Sequence, residues 1–129
     1  MHKRFVVTGA VLGAIAVALG AFGAHGLKKI VPAETVQTFQ TGVQYQMYHG
    51  LALLLTGLLY EKCSKRFVKT AGILFIIGVI LFSGSLYLLT AGKVTETTGM
   101  DKAGMITPLG GLAFIGGWLF LFLAAIRGN

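Results

Sequence analysis

Eight polar side chains here are of types that could bind or relay something: His25, Tyr45, Gln46, His49, Ser83, Ser85, Tyr87 and Thr107. An imidazole can carry a proton or ligate a metal, while amides, phenols and hydroxyls can hold a polar ligand. Spacing narrows the list. Zinc needs three or four close ligands, and His2, His25, His49 and Cys63 lack any ligand spacing. A bis-histidine haem would need His25 and His49 level on facing helices, but counting along helices separates them by about 14 Å in height. No Ser–His–Asp set or phosphate cradle is present, so no catalytic residue, enzyme activity, metal or cofactor is expected. Hydrogen bonding remains. On helices, Tyr45 and Gln46 could share a face with His49, and Ser83 with Tyr87.

The elements that must position these groups are set by the charges. The fifteen Asp, Glu, Lys and Arg residues leave four charge-free runs, Phe5–Leu27, Thr35–Tyr60, Thr70–Gly92 and Ala103–Ile126, each at least 23 residues long. About 20 helical residues cross a hydrocarbon layer of about 30 Å. The chain is 55% apolar and 12% charged with 19 glycines, and is too short to hide so much apolar surface from water. The prediction is an all-α polytopic membrane protein: one domain over residues 1–129, a compact bundle of four transmembrane helices with cores near 5–24, 43–60, 71–91 and 106–126.

Orientation follows from the basic residues. Lys3, Arg4, Lys62, Lys65, Arg66, Lys69 and Arg127 fall on one side; Lys28, Lys29, Lys93 and Lys102 fall on the other with Glu34, Glu96 and Asp101. Seven against four predicts a multi-pass protein of the plasma (inner) membrane with both termini cytoplasmic. The net charge of +7 reads as topology signal and contact with membrane lipids rather than nucleic acid. His2-Lys3-Arg4 before an apolar run resembles a secretory signal, with Ala21-Phe22-Gly23 as a cleavage site. That run exceeds the usual length and is built like a packing helix, so it is expected to be retained. Cys63 is the only cysteine, hence a free thiol.

Small residues form stripes: Gly9, Gly13, Ala16, Gly20 and Gly23 on the first helix, and Gly110, Ala113, Gly117 and Ala124 on the fourth. In lipid such stripes let backbones approach. Packing within one bundle is the preferred reading; a homo-oligomer or another membrane protein fits the same motif. Pro32 is expected in a first helical turn, followed by an amphipathic stretch running into the second helix. Residues 93–105 are expected to form an exposed loop or hairpin. Thr107-Pro108 matches an N-cap followed by proline at the first helical position.

Depth gathers the polar groups in the outer half. From Glu61, His49 lies roughly 18 Å up, and Gln46 and Tyr45 lie roughly 22–24 Å up. From Lys69, Ser83 to Tyr87 fall at about 21–27 Å, and His25 and Thr107 reach the outer boundary. A histidine in hydrocarbon must face the interior and find partners. A small pocket is predicted, open or nearly open outward and closed below by Leu53, Leu54, Leu55, Leu58 and Leu59, with Gly50 and Gly84 letting the faces approach. The plain alternative is a structural network in which the serines bond back to their own helix and the tyrosines belong to an aromatic belt.

Motifs on all four predicted helices carry a likeness: GAFGAHGL at 20–27, YQMYH at 45–49, LFSGSLYLL at 81–89, TPLGG at 107–111, GW at 117–118 and AIR at 125–127. The sequence resembles the YwdK/YgdD-like family of small bacterial membrane proteins, a domain of unknown function with distant eukaryotic transmembrane relatives. The resemblance implies a four-helix membrane protein and no settled activity; its motif positions include the eight polar residues above and Pro108. The third loop looks longer than the family pattern. The expected role is a non-enzymatic structural or accessory subunit whose polar cluster fixes helix register. The rival is a small transporter, channel or lipophile-binding protein using that cluster, with His49 central; a haem- or quinone-linked redox component ranks third.

Overall fold

The computed structural model describes residues 1–128. Long apolar runs become helices because a helix satisfies its own backbone without water. The order is α1 (Lys3–Ala24), a 3-10 turn (Leu27–Lys29), α2 (Ala33–Leu58), α3 (Lys65–Gly78), a π turn (Val79–Ser83), α4 (Gly84–Thr95), a 3-10 turn (Met100–Met105) and α5 (Thr107–Arg127). Helical dihedrals persist through the π turn, so α3 and α4 form one rod. The molecule is thus four rods, and no strand occurs among the described residues. Three segments are long and apolar enough to cross a membrane: Lys3–Lys29, Lys65–Thr95 and Met100–Arg127. Large apolar side chains point outward on every rod, among them Val11, Leu51, Ile80 and Leu119.

Local chemistry explains the ends. The His25 ring bonds the Ala21 carbonyl at 3.0 Å where α1 stops. Pro32 lies just outside α2 in extended conformation, with Glu34 in the first turn where the helix dipole favours an acid. The amphipathic stretch is therefore continuous with α2, which starts ten residues earlier than the predicted core. Pro32 precedes the first turn rather than entering it. Glu96 ends α4 with φ of 54°, a left-handed stop common after helices. The third apolar rod thus runs to Thr95, and the expected exposed loop after it is partly a 3-10 turn that packs on α4. The Ser64 amide donates to the Ala124 carbonyl at 3.2 Å, pinning the second loop to α5, and the Cys63 thiol is free and buried there beside Val68 and Ala124.

Packing follows the glycines. α1 lies along α2 and α3 along α5, while α2 meets the α3–α4 rod. A methyl at Gly9 would sit 2.6 Å from the Gly50 carbonyl, Gly20 faces Val43, and Gly23 faces Gln40 and Phe39. Gly13 is looser, 3.9 Å from the Met47 sulfur. On α5, Gly110 meets the Phe82 backbone and Gly117 the Phe75 ring. The stripes on α1 and α5 each face a neighbouring rod. At Gly84 a methyl would meet nothing within 4 Å, so this glycine plays no part in the close approach expected of it.

Candidate functional site

The strongest polar constellation centres on α2. Near its N-terminal end Gln40 donates to the Gly20 carbonyl of α1 at 3.0 Å. Two residues on, the Gly42 carbonyl accepts the Ser83 hydroxyl at 2.6 Å. Gln46 then spans three rods. Its Nε2 donates to the Leu12 carbonyl of α1 at 2.9 Å, and its Oε1 accepts the Tyr87 hydroxyl of α4 at 2.6 Å. Deeper still, His49 meets α5 through Trp118 Nε1, which donates to its Nε2 at 3.0 Å. One helix therefore makes side-chain hydrogen bonds to all three other rods.

The His49 bonds fix its tautomer. Nδ1 lies 2.8 Å from the Tyr45 carbonyl, an acceptor only, so Nδ1–H donates. Trp118 can only donate, so Nε2 must accept. A second ring proton would set two donors against each other, so this arrangement holds neutral imidazole. Both nitrogens are occupied, leaving none for a metal or haem iron. The ring is stacked on Phe114 with centroids 3.5 Å apart and planes 9° off parallel, with Phe75 and Trp118 beside it. Aromatic walls of this kind exclude water and strengthen the bonds inside.

Of the eight singled-out residues, six form two tethers and one deeper contact. Gln46, Tyr87 and Ser83 join α2 to the α3–α4 rod, and Ser85 bonds Thr107 at 2.5 Å to join that rod to α5. His49 supplies the deeper contact. Ser85 also donates back to Phe82, whereas Ser83 reaches across to another helix instead of bonding its own. Thr107 gives its hydroxyl to Ser85, and α5 starts without a side-chain cap, although Pro108 does occupy the first turn. Tyr45 shares the His49 face as its spacing predicts, its ring stacked 6.1 Å from the imidazole and packed on Phe82 at 4.6 Å, but it is about one-third exposed. His25 is exposed at the end of α1, away from the cluster.

An open pocket was expected here, and closed contacts fill the region instead. Among the described residues no buried side-chain nitrogen or oxygen lacks a hydrogen-bond partner. The predicted leucine floor is also different. Leu53 is fully buried, but Leu55 and Leu58 are about half exposed and face outward; Phe75, Phe114 and Trp118 surround His49 in their place. Trp118, Gln40 and the Leu12 and Gly42 carbonyls were missed by sequence reasoning. Periodicity identifies neighbours on one helix, and the GW motif at 117–118 was the only signal for Trp118. Among the described residues His, Cys, Asp and Glu form no group able to hold a metal ion.

Known proteins of similar sequence exist. Residues 19–111 match a family model described as "Protein of unknown function (DUF423)". The chain is 46% identical over 126 residues to the UPF0382 membrane protein YwdK of Bacillus subtilis (strain 168), covering 97% of this chain and 98% of that one. It is 41% identical over 125 residues to the UPF0382 membrane protein SH2409 of Staphylococcus haemolyticus (strain JCSC1435), covering 97% of each. Against the UPF0382 inner membrane protein YgdD of Escherichia coli (strain K12) the identity is 36% over 128 residues, covering 98% of this chain and 93% of the relative. No solved structure matches. The family likeness read from the motifs holds, and with near full-length relatives at these identities the chain belongs to the DUF423 family of membrane proteins.

Proposed function

We propose that this is a four-span protein of the plasma (inner) membrane with both termini cytoplasmic, a non-enzymatic structural or accessory subunit whose polar network locks helix register. The observation that carries it is internal satisfaction: among the described residues every fully buried side-chain nitrogen and oxygen has a partner within the fold. A binding site keeps some donors or acceptors for its ligand; a register lock uses them all. The fourth span is α2. Its polar residues lower its average apolarity, yet Gln40, Gln46 and His49 turn inward onto the other rods while Gln37 and Gln44 stay exposed. Tyr48, Leu51, Leu55 and Leu58 face out, and α2 lies along α1, so a membrane holding one holds both. Membrane lipids are its surroundings; a homo-oligomer or another membrane protein is the partner class for an accessory role.

Two measurements test this reading. Replacing His49 by Leu should lower thermal stability in detergent without changing any response to added lipophiles. Unchanged stability together with loss of a ligand-induced shift would instead identify a transport or binding site. For topology, Thr97→Cys and Ser64→Cys in a Cys63→Ala background should react with impermeant thiol reagent from outside and inside respectively. The reverse pattern refutes the orientation, and labelling of both positions from one side refutes the span count.

A further inference from the structure

We propose that a cleft between α1 and α3 at the basic end of the molecule binds one anionic phospholipid, with its phosphate on Arg4 and Lys69 and an acyl chain against Ile73 and Ile76. The cleft holds about 350 Å³, room for a headgroup and the first part of its chains. It exists because α1 packs chiefly on α2 and α3 chiefly on α5. Between them lies the Phe5 ring, laid over Gly72 so closely that a methyl there would overlap it. Phe5 is stacked on His2 with centroids 3.9 Å apart, which makes the back of the cleft a fixed aromatic wall.

Charge and depth select the ligand. Arg4 and Lys69 are exposed and line the same cleft. Glu61, an acid at this end, lies 2.9 Å from the Lys65 ammonium and 3.9 Å from the N-terminal one. Lys69 also stands 5.9 Å over the Tyr60 ring, a contact that leaves its donors free. Ile73 and Ile76 lie about 6 and 10 Å further along the helix from Lys69, where a chain would leave a headgroup held at the rim. Thr8 lines the same cleft. Thr56, Thr70 and Thr90 each bond the carbonyl four residues earlier, but the Thr8 hydroxyl has no partner among the described residues and can reach a glycerol or phosphate oxygen.

Inorganic phosphate would leave the Phe5, Ile73 and Ile76 wall unused. A zwitterionic lipid would bring its own cation beside two others. An anionic phospholipid satisfies both halves of the cleft. The inference rests on the four-span, basic-end-inward reading only for which leaflet supplies the lipid.

The test is native mass spectrometry of the full chain in detergent, titrated with phosphatidylglycerol or phosphatidylcholine. One phosphatidylglycerol should bind in preference to phosphatidylcholine. The double variant R4Q/K69Q should weaken it about ten-fold or more, R4K/K69R should restore it, and K28Q/K29Q at the other end should leave it unchanged. Ile76→Trp, which fills the cleft without altering charge, should also displace the lipid. Retained binding in R4Q/K69Q, equal loss in K28Q/K29Q, equal uptake of phosphatidylcholine, or displacement by millimolar inorganic phosphate each overturns the proposal. Detergent has no sides, so this result is independent of the cysteine labelling that tests orientation.

Discussion

At the residue scale the decisive groups act through pairing. Trp118→Phe removes the donor to His49 Nε2, and His49→Phe keeps the ring stacked on Phe114 while losing both ring bonds. Interhelical hydrogen bonds in membranes average about 0.6 kcal/mol and reach about 1.7. A double-mutant cycle by detergent unfolding should return a coupling in that range, and strict additivity of the two changes would remove Trp118 as the partner. Gln46→Leu strands the Tyr87 hydroxyl and one bond of the Leu12 carbonyl, at about 1–3 kcal/mol. Tyr87→Phe removes one bond and should cost less, so the order of the two midpoints is the check. Sequence spacing did place Gln46 and His49 on one face of one helix, and the fold buries both. It could not find Trp118, 69 residues away, since helical periodicity carries no information about facing rods.

Elements behave as their glycines dictate. Gly110 faces backbone atoms of Phe82, which cannot swing aside, so Gly110→Ala should lose about 1–3 kcal/mol by overpacking. Gly84→Ala meets open space on a helix and should be neutral or stabilising by up to about 1 kcal/mol. Equal unfolding midpoints for the two variants would contradict this packing. The four rods were legible from charge-free runs, but their true ends were not. α2 begins at Ala33 because Pro32 and Glu34 start a helix well outside the apolar core, and the π turn at Val79–Ser83 leaves no mark in residue spacing. That extra residue per turn lies where Ser83 turns toward Gly42 and the Phe82 backbone toward Gly110.

For the whole molecule, the basic end is tied by one exposed ion cluster. The Lys65 ammonium, hydrogen-bonded to Glu61, holds that carboxyl below the usual carboxylate range. A depressed folded value means the contribution is present above the unfolded carboxylate range and lost as pH falls through the folded one. Glu61→Gln should therefore lower the neutral-pH thermal midpoint slightly, as expected for an exposed pair, and flatten the acid-side decline by the same small amount; an unaltered acid limb would show that the pair contributes nothing. By itself the sequence determined the solvent and the number of rods, because charge is excluded from hydrocarbon over any run long enough to cross it. It also singled out Gln46, His49, Ser83 and Ser85 as groups that turn inward. Only the tertiary structure decided what they turn toward. α2, the least apolar rod, became the hub whose amide, imidazole and carbonyl groups reach the other three, since hydrogen bonds between helices depend on which faces meet and at what height.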